Sequence, residues 1–429
     1  MSEIHKRIAE LPPDKRALLE HSLMKRKQTN PDAAPSHKDN FPPVKSQSML
    51  AATTASPQTK TAQSRSHRGM DFSLFYFSAD ESVATGNKYR LLFEGAKFAD
   101  RNDFAAVWTP ERHFHSFGGT YPNPSVLAAA LAMVTGRIQL RAGSVVLPLH
   151  HPIRVAEEWA MVDNISNGRV GLAFASGWHV NDFVFFPEKY TERRDIMMRD
   201  IELVKKLWQG QNVTVAGPGN VEVEMRIYPK PVQPELPIWI TVAGASDTCV
   251  RAGRIGANML TNLLGQSVEE LAEKIALYRA ARADHCPGQG EGHVTLMLHT
   301  FIGDDVEAVR EKVREPFCDY LRRFTDLLSN FGRTLNLQIA QTVLTEDDLD
   351  ALVTHAFKRY FDTSALFGTP HTCLSMIEHL KTIGVDEVAC LIDFGVDEES
   401  VLESLSRLNE LKELANRESV AMCEVVENG

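Results

Sequence analysis

The chain has 429 residues, 43% of them hydrophobic and 24% charged, more than one small domain needs and within reach of a single large α/β domain. A formal net charge of -10 argues against a protein that holds nucleic acid or an anionic membrane by bulk attraction, although a local pair of arginines can still hold a small anion. Six cysteines (Cys249, Cys286, Cys318, Cys373, Cys390 and Cys423) never fall at CxxC spacing, and there is neither a secretory h-region nor a bilayer-length apolar run; reduced thiols in a soluble cytoplasmic protein are expected, not a disulfide framework or a metal site.

Residues 1–27 carry Ile4, Ile8, Leu11, Leu18, Leu19, Leu23 and Met24, interrupted by Pro12-Pro13. The spacing after Asp14 predicts a short amphipathic helix, either loosely attached or a docking element. Residues 28–69 are rich in Pro, Ser, Thr, Ala, Gln and Lys. Burial there cannot offset the entropy of ordering, so a flexible, disordered linker is expected. From Met70 to about residue 418, short β-branched or aromatic runs alternate with helical patterns, the signature of repeated βα units. The predicted strands are Asp71–Phe77, Phe104–Trp108, Ile138–Val146, Val170–Ala175, Ile238–Val242, Ala257–Thr261, Val294–Ile302 and Glu387–Phe394. Helical patterns between them include Lys88–Arg101, Pro124–Thr135, Pro152–Ile165 and Arg193–Trp208. Eight such units favour an α/β fold of the TIM-type (β/α)8 barrel kind over an open sheet. Val213–Pro231 reads as a small β excursion, Pro316–Thr363 as a helical insertion before the last unit, and residues 419–429 as a C-terminal tail.

In such a barrel the reacting groups sit on the loops that follow the strands' C-terminal ends. The second predicted strand leads into Thr109-Pro110-Glu111-Arg112-His113-Phe114-His115, a dense polar cluster. The third leads through Gly143-Ser144 to His150-His151, and the fourth into Ser176-Gly177-Trp178-His179. After the fifth come Gly244-Ala245-Ser246-Asp247-Thr248, small residues entering a helix, where free N–H groups can meet an anion. Ser246, Asp247 or Thr248 acting simply as a helix N-cap is the alternative. Arg193-Arg194, opening the fourth helix, is a source of positive charge for that anion. No GxSxG elbow, GxxxxGK[ST] loop or strand–GxGxxG–helix unit occurs, and His150-His151 lacks partners at metal-ligand spacing. The residues alone define a barrel with a phosphate-bearing ligand as a candidate, and not a reaction.

At these same loops the chain resembles the luciferase-like flavin monooxygenases. The resemblance is carried by Phe104–Phe114, by Val145-Val146-Leu147-Pro148 through Arg154, by Ser166-Asn167-Gly168-Arg169, by Gly177–Phe186 and by Gly368-Thr369-Pro370. It implies an FMNH2-dependent monooxygenase with O2 as co-substrate. Reduced FMN would come from a separate flavin reductase and act through a C4a-(hydro)peroxyflavin on a small-molecule substrate, in a homodimer. It also implies that Arg194 (or Arg193) and the loop Ala245–Thr248 hold the flavin phosphate, and that the flavin ring packs on a non-proline cis peptide at Gly143-Ser144. Two family hydroxyl or guanidinium positions differ here: Ala245 stands where a serine is usual and Ser176 where an arginine is. Of two adjacent family histidines after the glutamate, the first, a catalytic acid/base, is Arg112 in this chain. Arginine stays protonated and cannot be a base near neutral pH, but it can stabilise an anion. Proton handling is therefore expected at His113 and His115, with Glu111 and Arg112 in supporting roles or paired with each other.

Thr109–His115 and Arg314-Glu315-Pro316-Phe317 are most similar to the subgroup found in polyketide and nonribosomal-peptide assembly lines, and Leu11–Leu19 is similar to segments of peptide synthetases. That resemblance implies a natural-product intermediate tethered to an acyl or peptidyl carrier protein. Hydroxylation and insertion next to a ketone both remain open. The rival readings are F420-dependent hydride transfer and a catalytically silent carrier-docking barrel.

Overall fold

The structure is a computed structural model that describes residues 69–77, 87–334 and 346–427. The helix expected over 1–27 and the linker over 28–69 lie outside those residues, Gly69 excepted. Eleven strands occur among the described residues: β1 (Asp71–Phe75), β2 (Ala106–Thr109), β3 (Gln139–Val146), β4 (Val170–Ala175), β5 (Val213–Ala216), β6 (Glu222–Met225), β7 (Ile238–Val242), β8 (Asn258–Asn262), β9 (Val294–Ile302), β10 (Leu366–Gly368) and β11 (Glu387–Leu391). The helices between and after them are α1 (Arg90–Arg101), α2 (Pro124–Ala132), α3 (Pro152–Ser166), α4 (Arg193–Trp208), α5 (Ser246–Arg254), α6 (Val268–His285), α7 (Val306–Thr334), α8 (Glu346–Thr363), α9 (Pro370–Ile383) and α10 (Glu398–Glu427). Parallel pairing runs β1-β2-β3-β4-β7-β8, β8 then pairs with β9, β9 with β11, and β11 with β1. This closes the TIM-type (β/α)8 barrel that the periodicity predicts. The β5–β6 ribbon is antiparallel and stands outside the barrel, where the β excursion is expected.

Local chemistry sets the helix ends. Asn123 caps α2 by accepting from the Ser125 and Val126 amides, ahead of Pro124 at the first position. Ser267 and Glu270 form a reciprocal capping box on α6. The helix α3 stops at Asn167 and Gly168, both with positive φ, so the chain can turn back into β4. In α1 the buried positions Leu92, Gly95, Ala96 and Ala99 share one helical face, and small residues there let the helix lie close to the sheet.

Three sequence expectations change. Pro316 lies inside α7 rather than at the start of an insertion. The apolar face formed by Phe317, Tyr320 and Leu321 is buried, and that burial outweighs the missing N–H. A three-residue strand, β10, pairs with the upper end of β9 at Thr300–Ile302, too short to leave a periodic signal. The last helix continues to Glu427, through most of the segment expected as a tail.

The lumen is closed at the N-terminal end of the strands by a buried polar network. Glu387 accepts from Arg141 Nη1 at 2.7 Å, from Trp108 Nε1 at 3.0 Å, from the Thr295 hydroxyl at 3.2 Å and from the Ser73 hydroxyl, and lies 2.9 Å from His293 Nε2. Above it Phe75 and Trp108 stack at 6.2 Å and floor the mouth. Among the described residues no helix is long and apolar enough to cross a membrane.

Candidate active site

The loop after β2 sends its side chains in three directions. Glu111 turns inward and is buried. Its Oε1 lies 2.8 Å from His113 Nε2 and 2.7 Å from His150 Nε2, and its Oε2 accepts from the Val146 amide at 2.7 Å. Burial works to raise this carboxyl, but the hydrogen bonds from His113, His150 and Val146 outweigh it and hold the group below its ordinary value. Burial works to lower His150, and Glu111 overrides it, so that imidazole is raised. Glu111 therefore does not pair with Arg112, as one sequence expectation had it; the intervening backbone points the two side chains apart. Arg112 lies between the rings of Phe77 and Phe117 instead.

His115 points to a third place. Its Nε2 is 3.1 Å from His179 Nε2, on the loop after β4, and Asp182 Oδ1 stands 3.5 Å behind His179 Nδ1. Burial, the neighbouring His179 and the Arg112 charge together lower the His115 pKa. That pair was not legible in the sequence, because 64 residues separate its members. The same holds for His150 as a partner of Glu111. Phe114 and Phe185, both exposed, cover His113 at the rim, with the Phe185 ring 5.1 Å from the imidazole.

Beside β2, β3 breaks register with β4 between Gly143 and Val145, which turns Ser144 out of the ladder. The Gly143–Ser144 peptide is cis, and the Ser144 hydroxyl bonds that of Thr241 on β7. Gly143 is under a tight packing constraint: a Cβ would lie 2.7 Å from Phe75 Cε2. Ser176 and Gly177 follow β4, Gly177 with φ of +78°, and Arg193 Nε donates to the Gly177 carbonyl at 3.2 Å. Arg193 is thus engaged in holding this loop and stacks on Tyr190, whereas Arg194 is exposed.

Gly244, with φ of +112°, turns the chain into α5. The N-cap is Ala245 and no side chain caps the helix, so Ser246, Asp247 and Thr248 do not fill the capping role that was the alternative for them. The Thr248 amide donates to the Ala245 carbonyl at 3.1 Å, and the Ser246 and Asp247 amides are left for another acceptor. Arg251 bonds Asp247 at 2.9 Å and Asp195 at 3.0 Å, which ties the start of α5 to the start of α4, the helix that carries Arg194. Lys274 Nζ, 3.9 Å from where a Gly244 Cβ would be, adds a cation that sequence reading missed, since it comes from the following helix.

The barrel mouth thus has an uncapped helix terminus on one side and imidazole–carboxylate groups on the other. The description "Luciferase-like monooxygenase" fits a family model that matches residues 70–387, and the chain belongs to that family. It is 26% identical over 348 residues to the oxygenase component of a flavin-dependent trigonelline monooxygenase from Acinetobacter baylyi, an alignment covering 79% of this chain and 93% of that protein. The crystal structure of the monooxygenase RslO1 from Streptomyces bottropensis shares the fold with a TM-score of 0.64 at 22% identity, over 80% of this chain and 98% of that one. The oxygenating constituent of 3,6-diketocamphane monooxygenase from Pseudomonas putida, solved in complex with FMN, does so with a TM-score of 0.63 at 17% identity, over 81% and 98% of the two chains.

Proposed function

We propose that the chain is the oxygenase component of a two-component monooxygenase that takes reduced FMN from a separate flavin reductase and uses O2 to oxygenate a small molecule. The observation that carries this reading is the uncapped start of α5 with Lys274 beside it, across the mouth from Glu111 and the histidines. These residues fit a flavin phosphate: amides of Ser246 and Asp247, the Arg194 guanidinium, the Lys274 ammonium and the Ser176 hydroxyl offer donors to one anion. Ala245 and Ala243 are exposed and small, so a ligand can approach the backbone. Reduced FMN supplies the electrons that activate O2.

The protein's own part is positioning and proton control. Glu111 orients His113 and His150 through their Nε2 atoms. His115, kept neutral near pH 7 by burial, His179 and Arg112, can accept a proton and share it between its Nε2 and that of His179. Phe114 and Phe185 shield the mouth from water once substrate is bound. We assign the substrate to natural-product intermediates delivered on a carrier protein, a reading supported by Thr109–His115 and Arg314–Phe317. A homodimer is supported by the exposed Val126, Met133, Met161 and Ile165 on the adjacent helices α2 and α3.

The test is oxygen uptake after anaerobic titration of the protein with reduced FMN. Tight binding followed by rapid oxygen consumption is the expected result, and Arg194→Ala should weaken FMN binding about tenfold, the worth of one charge-assisted hydrogen bond. Unchanged affinity in that variant moves the phosphate elsewhere. Oxygen-independent turnover with F420 would replace this reading with hydride transfer, and failure to bind either flavin would leave a silent docking barrel.

A further inference from the structure

Four buried polar atoms in the mouth lack a hydrogen-bond partner among the described residues: His179 Nδ1 is one, and the other three are linked through aromatic rings. Arg112 Nε is the first; its guanidinium carbon lies 4.3 Å from the Phe77 ring centre and 5.1 Å from that of Phe117. No carboxylate among the described residues forms an ion pair with it. The Phe117 ring in turn lies 5.2 Å from that of Tyr320, whose hydroxyl is the second orphan. The Tyr320 ring is 4.6 Å from His299, whose Nε2 is the third. His299 has the same strand parity on β9 as Thr295, which bonds Glu387 inside the barrel, so His299 faces the lumen. The loop is built around the arginine: a Cβ on Gly118, itself at φ of +79°, would strike Arg112 Cδ. Leaving one buried polar group unsatisfied costs stability, and three linked through the Phe117 and Tyr320 rings form a set with a missing partner.

We propose that Arg112, Tyr320 and His299 form a recognition subsite for a monoanionic carboxylate on the substrate, with the substrate's apolar body against Phe77, Phe117 and Phe394. The inference deepens the monooxygenase reading and rests on it for the identity of the bound molecule as substrate. Charge selects the class. Arg112 stays protonated despite burial and brings one positive charge. Burial raises the Tyr320 hydroxyl far above its ordinary value, so it remains a donor. Burial pushes the His299 imidazole down to about 3, so it stays neutral and adds a hydrogen bond without a second charge. Asp182 and Asp393 lie close enough to act on the Arg112 charge, which disfavours a dianion. Asp393 is already engaged by the Phe77 amide and the Tyr121 hydroxyl. In the barrel order, β9 stands opposite β3 and β1 opposite β7. An anion held here directs the rest of the substrate towards Ser144 and Thr241 on the other wall.

The probe is benzoate, with benzamide and phthalate as neutral and dianionic comparisons, titrated calorimetrically into the full chain and into Arg112→Met and Tyr320→Phe. The expected result is benzoate binding to the parent protein, weakened about tenfold or more in Arg112→Met and severalfold in Tyr320→Phe, with benzamide and phthalate at least about tenfold weaker than benzoate. Arg112→Met should also raise the ligand-free Tm, because it removes a buried unpaired charge; a cation kept only for packing would lower it. Equal benzoate affinity in parent and Arg112→Met, no benzoate binding to the folded parent, phthalate binding tighter than benzoate, or a lowered Tm each overturns the subsite. FMN titration in parallel separates the two readings: variants that lose benzoate but keep FMN affinity isolate the subsite, whereas a parent that binds benzoate without FMN keeps the subsite and removes the flavin reading.

Discussion

Glu111 bonds two imidazoles from different loops rather than the arginine beside it in sequence, because a strand-end loop sends consecutive side chains to opposite sides. Its replacement is informative through pH. The folded-state carboxyl is lowered, so its stabilising contribution is present above the ordinary carboxylate range and disappears as pH falls through that lowered value. His150 is raised, so its contribution is full below the ordinary histidine range and fades as pH rises through the raised value. Glu111→Gln should therefore cost most in the window between those two transitions, by about 2–4 kcal/mol for a buried charged hydrogen-bond network. Tm measured against pH for both proteins checks this; a constant difference across the range would refute the coupling. The Glu111–His115 cluster was legible as a site because polar residues crowd a strand end. His150 and His179 lay on loops the sequence marks, but their partners were not legible; His299 and Tyr320 were not legible at all, since they reach the mouth from a strand and a helix.

At the level of elements, the start of α5 was legible from its small residues, and the structure decided that no side chain caps it. The β3 bulge was not legible from periodicity: a strand of β-branched and small residues gives no sign of where its register slips. Gly143 shows what that bulge requires. A methyl group there would lie 2.7 Å and 2.9 Å from Phe75 ring atoms and 3.2 Å from Trp108 Cε3. Both rings are buried, so Gly143→Ala is expected to cost about 1–3 kcal/mol by overpacking and to lift the floor of the mouth. Urea unfolding measures the first effect and FMN affinity the second; an unchanged midpoint would mean the rings can shift. Pro316 was misread as a boundary for a related reason. A local breaker signal lost to the burial of Phe317 and Tyr320, which are contacts made with other parts of the chain.

For the whole molecule, closure of the barrel is tied to Glu387. One carboxylate on β11 bonds groups on β1, β2, β3 and β9 and the residue just before β9. Burial works to raise it, but Arg141, His293 and Ser73 hold it far below the ordinary carboxylate range. It lies at the N-terminal end of the strands, away from the mouth, where a barrel keeps stability rather than chemistry. Glu387→Gln should destabilise the fold by about 3–5 kcal/mol by stranding the Arg141 charge, while oxygen uptake by the protein that remains folded stays near that of the parent. Denaturant midpoints beside activity per folded molecule test this, and a loss of activity without a loss of stability would move Glu387 into the site.

The sequence by itself determined the barrel and most of its strand positions, because hydrophobic periodicity is a local property that each βα unit repeats. It also determined which loops carry polar side chains. Tertiary structure alone decided who partners whom: Glu111 with two histidines, His115 with His179, Arg112 with aromatic rings and no carboxylate among the described residues. Those choices depend on side-chain direction at strand ends and on groups brought together by barrel closure, and neither is written in the spacing of residues along a chain.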